Sequence, residues 1–455
     1  MKIALLFVAL LAAPLGGARA QGPAPLAELL AEARQRNPEI QAARRMAEAA
    51  AARIPRAGAL PDPMLSLGMM NLPAGTLDPR DEMMTMGTVE VGQRLPAPGT
   101  RAAREAIARA AHESAGLEAE ETEREVLARL KGAYYEALFL ERARDVLTRN
   151  RALLVDLAEV TRARFAVGRA PQQDVLRTQT EITRLDEQLA GLDARRTAAL
   201  AELNAVLQRP PTAPLTPVYP ESVLALARAA PTRAAFTAAA LDAGLGDGFP
   251  SLAELQARAV QERPMLRAHE SRIAESRATV ALAGRERIPD VDLMLGYGAR
   301  WGRMDMLSAM VSLPLPLFAA RKQRQAVIEA EHLLAANELR HHQMVSEIQA
   351  DVTTRYAALV RTREQTLLLS DGVIPQARAT VESAVAAYQA GRVEFVSLLD
   401  AQAALFRHEI ELARQLADFG RELAALELAA GVHLGWEGET PEATGSEAKN
   451  QEQGR

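Results

Sequence analysis

The soft donors of this sequence are its methionines, and they are unevenly placed. Met64, Met69, Met70, Met83, Met84, Met86, Met294, Met304, Met306 and Met310 are ten of fourteen. Thioethers suit Cu(I) and Ag(I), but they equally pack against lipid or fill irregular interiors. His332, His341, His342 and Met344 lie close in sequence. No pair of these histidines has the i, i+4 spacing of a helical metal site, so they read as surface or interhelix residues. There is no cysteine, which removes disulfides, thiolate metal sites and a lipid-bearing Cys. No nucleotide loop, zincin motif or Gly-x-Ser-x-Gly occurs, so neither an enzyme nor a cofactor is expected. The net charge of -5 points to neither a nucleic-acid partner nor a polyacidic tail. Lysine is rare (Lys2, Lys131, Lys322, Lys449) beside abundant arginine, a compositional habit rather than a site.

The elements that would position any of these residues are duplicated. Ala163–Gln179 aligns without a gap on Ala386–Gln402, setting Phe165 on Tyr388, Gly168 on Gly391, Arg169 on Arg392, Leu176 on Leu399 and Gln179 on Gln402. Each stretch reads as a helix end, a tight turn and a new helix. Gly168 and Gly391 suit the left-handed residue just past a helix end. Pro171 suits the first turn of the next helix. One domain of two similar halves is expected.

The chain opens with Lys2 and an apolar run from Ile3 to Leu15, too short to span a bilayer, followed by Ala18-Arg19-Ala20. Residues 1–20 read as an export signal cleaved before Gln21; an uncleaved anchor suits that length less well. Residues 21–208 form the first repeat, 209–250 a linker rich in Pro and Ala, 251–434 the second repeat, and 435–455 a polar, disordered tail. Within each repeat a helix comes first (Pro23–Gly58, Ser251–Arg287), interrupted at Pro38 and Pro264. The period then changes to two. Val291, Leu293, Leu295 and Tyr297 alternate with Asp292, Met294 and Gly296, and the return strand runs through Leu307–Leu313. The first half has strands Met64–Leu72 and Met83–Leu95 around the loop Pro73–Glu82. Both return strands end in prolines, Leu95-Pro96-Ala97-Pro98 and Leu313-Pro314-Leu315-Pro316. Long helices follow, Thr100–Val167 and Ala319–Ala390, each about 100 Å long. The turn and a shorter helix close each repeat, Pro171–Gln208 and Glu394–Leu434. The opening and closing helices together equal one long helix, so each half forms two columns, one continuous and one of two helices stacked end to end.

Four strands of bilayer-crossing length cannot close a barrel, and lipid does not tolerate open edges. Copies must share one: two chains would fill eight strands, three would leave a pore within twelve. The expected fold is therefore mainly α, with long antiparallel hairpins in two repeats, each carrying a β-hairpin, assembled as a trimer with a shared barrel and a helical tube. That shape is a conduit.

The duplicated plan, the Gly-Arg tips and Leu399-Asp400-Ala401-Gln402 resemble the TolC family of outer-membrane efflux channels, over about Gln21 to Leu434. Asn37-Pro38-Glu39-Ile40, Leu60-Pro61-Asp62-Pro63 and Asn71-Leu72-Pro73 are most similar to the branch serving heavy-metal pumps of the resistance–nodulation–division class. Many relatives carry a lipidated N-terminal cysteine; this chain has none. The resemblance implies a homotrimer in outer-membrane lipid with a periplasmic extension, partnered by a periplasmic adaptor and an inner-membrane pump. It makes Val167, Gly168, Arg169, Ala390, Gly391 and Arg392 adaptor-binding tips. It places Tyr388 and Asp400 where relatives hold the periplasmic opening shut. Ser397 stands where a second aspartate is common, and Asp174 is its first-half counterpart. An acidic ring selects cations; the alternative is that Asp400 is an ordinary solvated residue. Arg177 or Arg392 would restrain it. Thioether sites at an exit pore would slow release, so the methionines are read as packing residues and no metal site is assigned. Heavy-metal cations are the expected cargo; drug or protein export, and outside the class a periplasmic coiled-coil scaffold, are the alternatives.

Overall fold

Residues 24–228 and 249–434 are described by a computed structural model. The export signal, residues 229–248 of the Pro/Ala-rich stretch and the C-terminal tail lie outside the described residues. Proline sets the first break. Asn37 precedes Pro38 and takes extended backbone, φ -66° and ψ 123°, which ends helix α1 (Leu26–Arg36) and starts α2 (Pro38–Gly58). Strands β1 (Met64–Met70) and β2 (Met86–Leu95) follow. Helix α3 then runs unbroken from Thr100 to Ala166, α4 from Gln172 to Val206 and the short α5 from Glu221 to Arg228. The second repeat copies the order: α6 (Leu252–Glu262), a break at Arg263, α7 (Pro264–Arg285), β3 (Val291–Ala299), β4 (Met306–Ser312). Its long helix differs from the expected uninterrupted Ala319–Ala390. Turns occupy 317–322, α8 begins at Gln323 and runs to Leu367, a π-helical turn spans Leu368–Val373, and α9 (Ile374–Gln389) continues. Pro375 is the physical reason for the change, since it lacks an N–H and crowds the preceding turn. Helix α10 (Phe395–Ala430) closes the fold.

The strands form one antiparallel sheet in the order β1-β2-β3-β4. The register puts Leu65, Val91, Leu295 and Ala309 in one row and Leu67, Val89, Tyr297 and Leu307 in the next. Because successive side chains alternate, this face is apolar. The opposite face carries Ser66, Glu90, Gly296 and Ser308 in one row, and Met64, Gly92, Met294 and Met310 in another. The helices stand in the same lateral order as their strands. The column containing α2 and α4 packs on α3, α3 packs on α7 and α10, and these pack on α8.

Each composite column is joined by named contacts. The Asn37 carboxamide oxygen accepts from the N–H groups of Glu39 (2.9 Å) and Ile40 (3.4 Å), capping α2, while its Nδ2 donates to Val206 O at the end of α4 (2.9 Å). In the second repeat Arg263 does the joining: a guanidinium nitrogen donates to Ala429 O at the end of α10 (3.2 Å). The main core surrounds these joints. Tyr134 of α3 is fully buried, donates to Val218 O (2.6 Å) and accepts from Val218 N (2.9 Å), so it pins the connecting stretch to the bundle. Beside it, Gly420 of α10 lies against the Tyr135 ring so closely that a Cβ there would penetrate the ring. Glycine, otherwise unfavourable inside a helix, is what allows α3 and α10 to meet.

Candidate functional site: the helical tips

Both hairpin tips close in the same way. The Gly168 N–H donates to Phe165 O (2.9 Å) and the Arg169 N–H to Arg164 O (2.8 Å). The Gly391 N–H donates to Tyr388 O (3.0 Å) and the Arg392 N–H to Ala387 O (2.9 Å). These paired bonds define the Schellman ending, which needs a left-handed residue. Gly168 and Gly391 supply it with φ of 71° and 70°, in open space where a Cβ would meet nothing. Glycine is demanded here by backbone conformation, not by crowding. Val167, Arg169, Gly391 and Arg392 are exposed or partly so around these turns, and Ala390 ends α9.

The candidate gate residues divide into two environments. Tyr388 is buried, with its ring 5.4 Å from that of Phe395, in a small core with Leu147, Leu154, Leu185, Leu398 and Leu399. Its hydroxyl has no hydrogen-bond partner among the described residues. Asp400 and Ser397 are exposed on α10. Asp400 borders a cavity of 310 Å³ that Arg177, Arg184, Arg407 and Glu181 also line, between α3, α4 and α10. Arg177 thus shares its cavity with Asp400, whereas Arg392 is not among the lining residues. Neither arginine forms an ion pair with Asp400 within one chain. Asp174, at the start of α4, is held above the usual aspartate range by burial and by the Glu394 carboxylate, with Arg177 pulling the other way. The two tips therefore bring two acids together, one from each repeat.

Sequence reasoning missed the residue that couples those tips. Arg164, near the end of α3, sets its guanidinium carbon 4.5 Å from the centre of the Tyr388 ring. It also donates to Tyr388 O and Gln389 O, both at 3.4 Å. One side chain combines a cation–π contact with a positive charge at the C-terminal end of α9, where helix carbonyls are unpaired. No periodicity could have announced it, and its aligned position in the second repeat is Ala387.

The model of the family described as outer membrane efflux protein matches residues 29–208 and 255–432. Among solved structures, the outer-membrane channel OprN is 19% identical, with a TM-score of 0.72 over 90% of this chain and 90% of that one. CusC, described for conformational changes accompanying folding and transmembrane channel formation, is 14% identical, with a TM-score of 0.72 over 91% and 96%. The open-state MtrE outer membrane channel of Neisseria gonorrhoeae is 16% identical, with a TM-score of 0.71 over 91% and 91%. No curated relative matches the chain.

Proposed function

The chain belongs to the outer membrane efflux protein family, and from that premise we propose that it is the exit channel of a three-part export assembly that passes heavy-metal cations outward. Members of this family are transport proteins rather than enzymes. The observation that carries the channel reading is the matched order of strands and helical columns. A four-stranded sheet with one apolar face, on which Leu67 and Leu307 are 72% and 83% exposed, stands above four columns in the same sequence. Among the described residues its edges β1 and β4 have no further partner strand. In lipid those edges must pair with other copies. Three chains give twelve strands, apolar outside, with Ser66, Glu90 and Ser308 among the methionines and glycines within, on a periplasmic tube about 100 Å long. The N-terminal signal, removed after Ala20, would deliver the chain across the inner membrane. The short motifs at Asn37–Ile40, Leu60–Pro63 and Asn71–Pro73 support a heavy-metal cargo and a resistance–nodulation–division pump as partner.

In this reading Val167, Gly168, Arg169, Ala390, Gly391 and Arg392 meet the periplasmic adaptor. Val at both Gly168 and Gly391 should abolish metal efflux, because a β-branched residue is strained in the left-handed region. Asn at the same positions should retain most of it. Metal sensitivity of a complemented deletion strain reports the result, with trimer mass in detergent as the check on assembly. Full resistance in the double Val variant would exclude the tips from docking.

Tyr388, Asp400, Ser397 and Asp174 form the gate in the same reading. Three-fold symmetry repeats the exposed Asp400 carboxylate around the axis, and a ring of acids favours cations. In planar bilayers the Asp400→Asn trimer should lose cation preference several-fold while its conductance persists. Unchanged selectivity would return Asp400 to an ordinary surface role, and a monomeric conducting species would overturn the shared barrel.

A further inference from the structure

Well away from the tips, two histidines that lie far apart in sequence meet between α7 and α8. The rings of His269 and His341 have centres 5.9 Å apart and planes 27° from parallel. His269 is 6% exposed. The Nδ1 atom of each ring is buried and has no hydrogen-bond partner among the described residues. One such atom is costly; two, on neighbouring rings of opposing helices, point to a shared ligand. The spacing fits an ion. An imidazole nitrogen binds Zn2+ at about 2.0–2.1 Å, which places a ring centre roughly 3.2 Å from the metal, so two rings sharing it lie at most about 6.4 Å apart. The other nitrogen of His341 supplies the supporting arrangement: its Nε2 is 4.0 Å from a carboxylate oxygen of Glu270. Metal-bound histidines commonly orient their second ring nitrogen toward such a carboxylate.

The remaining surroundings agree with a neutral donor. Burial pushes the His269 pKa down, and His341, Arg272 and Arg340 push it the same way. Arg272 is turned to Glu118 (2.6 Å) and Arg340 to Asn337 (3.4 Å). His342 meets His341 edge-on at 6.2 Å and is exposed. Among the described residues no three His, Cys, Asp or Glu side chains converge as a ready cage. Two imidazoles alone leave positions for water, which suits weak, exchangeable binding.

We propose that His269 and His341 bind one borderline divalent cation, of the Zn2+ and Cu2+ class, through their unpartnered Nδ1 atoms and thereby tie α7 to α8. The site is distinct from the gate, and its binding does not depend on what the channel exports. Zn2+ alone, titrated calorimetrically into the detergent-purified full chain, should saturate near one ion per chain. His269→Gln and His341→Gln should each weaken binding at least tenfold, while His332→Gln, an exposed residue of the same helix, should leave it unchanged. Absence of Zn2+ binding to the parent, or parent-like affinity in both variants, overturns the proposal. Should either variant fail to assemble, electron paramagnetic resonance of the parent with Cu2+ decides. Hyperfine splitting from two imidazole nitrogens supports the site; none or one overturns it. Because the readout is binding, a channel that proves not to export metal would leave this result intact, and the reverse also holds.

Discussion

Lys131→Met should cost the bundle about 3–5 kcal/mol, the usual consequence of leaving one partner of a buried ion pair alone. Lys131 of α3 places Nζ 2.6 Å from a Glu427 carboxylate oxygen on α10, and both side chains are 8% exposed. The other Glu427 oxygen accepts from the Leu434 N–H (2.9 Å) and faces His433 Nδ1 at 3.2 Å. Burial alone would raise the Glu427 pKa; the Lys131 charge and the hydrogen bonds from His433 and Lys131 overcome it and hold the carboxyl below the usual glutamate range. A depressed pKa stabilises the fold above the ordinary glutamate range, and that stabilisation is lost as pH falls through the folded value. In Lys131→Met the largest opposition to burial is gone, only His433 and the Leu434 N–H still favour the charged form, and the carboxyl takes up a proton more readily. The deficit between variant and parent should therefore be largest near neutral pH and narrow in acid. Denaturant unfolding followed by helical circular dichroism, at neutral and acid pH, measures both. A loss under 1 kcal/mol, or one that grows in acid, would contradict the assignment. The double variant Lys131→Met, Glu427→Leu should recover most of the loss, since an apolar pair of similar volume leaves no uncompensated charge.

Gly431→Ala is expected to cost about 2–4 kcal/mol, from two causes acting on one atom. Gly431 ends α10 at φ 64°, donating to Leu428 O while Val432 donates to Glu427 O. A Cβ there would suffer left-handed strain and would also sit 2.7 Å from Arg263 Cα and 3.2 Å from Arg263 N. Backbone cannot step aside as a side-chain end can, so the joint between α10 and α7 must open. The first repeat provides its own control. Gln208 ends α4 with the same bonding, Gln208 N to Ala205 O and Arg209 N to Asn204 O, at φ 56°. Here the strain is carried by a side chain that bonds back to Ala205 O (2.9 Å). Gln208→Gly should change stability by less than about 1 kcal/mol, relief of strain being offset by a looser unfolded chain. A gain at Gln208→Gly as large as the loss at Gly431→Ala would show that left-handed strain, and not contact with Arg263, governs Gly431.

The features legible in the sequence were those written locally. Gly168 and Gly391 announce the tips because a left-handed helix ending selects glycine. Pro38 and Pro264 announce the breaks because the residue before proline leaves the helical region. The strands show in a period of two, although β1 and β2 are shorter than their apolar runs, β1 stopping at Met70 and β2 starting at Met86. What joins distant parts was not legible. Lys131 passed for a compositional rarity, yet it partners Glu427 on another helix. Arg164 reaches Tyr388, and His269 reaches His341, through packing that no short-range pattern records. Nor could sequence choose the arginine for Asp400: among the described residues Arg177 lines the same cavity and Arg392 does not, and neither forms an ion pair with it.

The π turn at Leu368–Val373 has a bearing on those tips through counting alone. Above it, buried residues of α8 recur every seventh position, at Val352, Leu359 and Thr366. Below it the same interval resumes at Ile374, Val381 and Tyr388. Between Thr366 and Ile374 the step is eight, so the turn inserts one extra residue into the seam and shifts its phase by about 100°. Counting sevens straight down from Val352 would bring Ala387, not Tyr388, beneath the Arg164 guanidinium. The aromatic partner of the clamp is thus selected some twenty residues upstream, by an irregularity in hydrogen bonding that makes no contact with it.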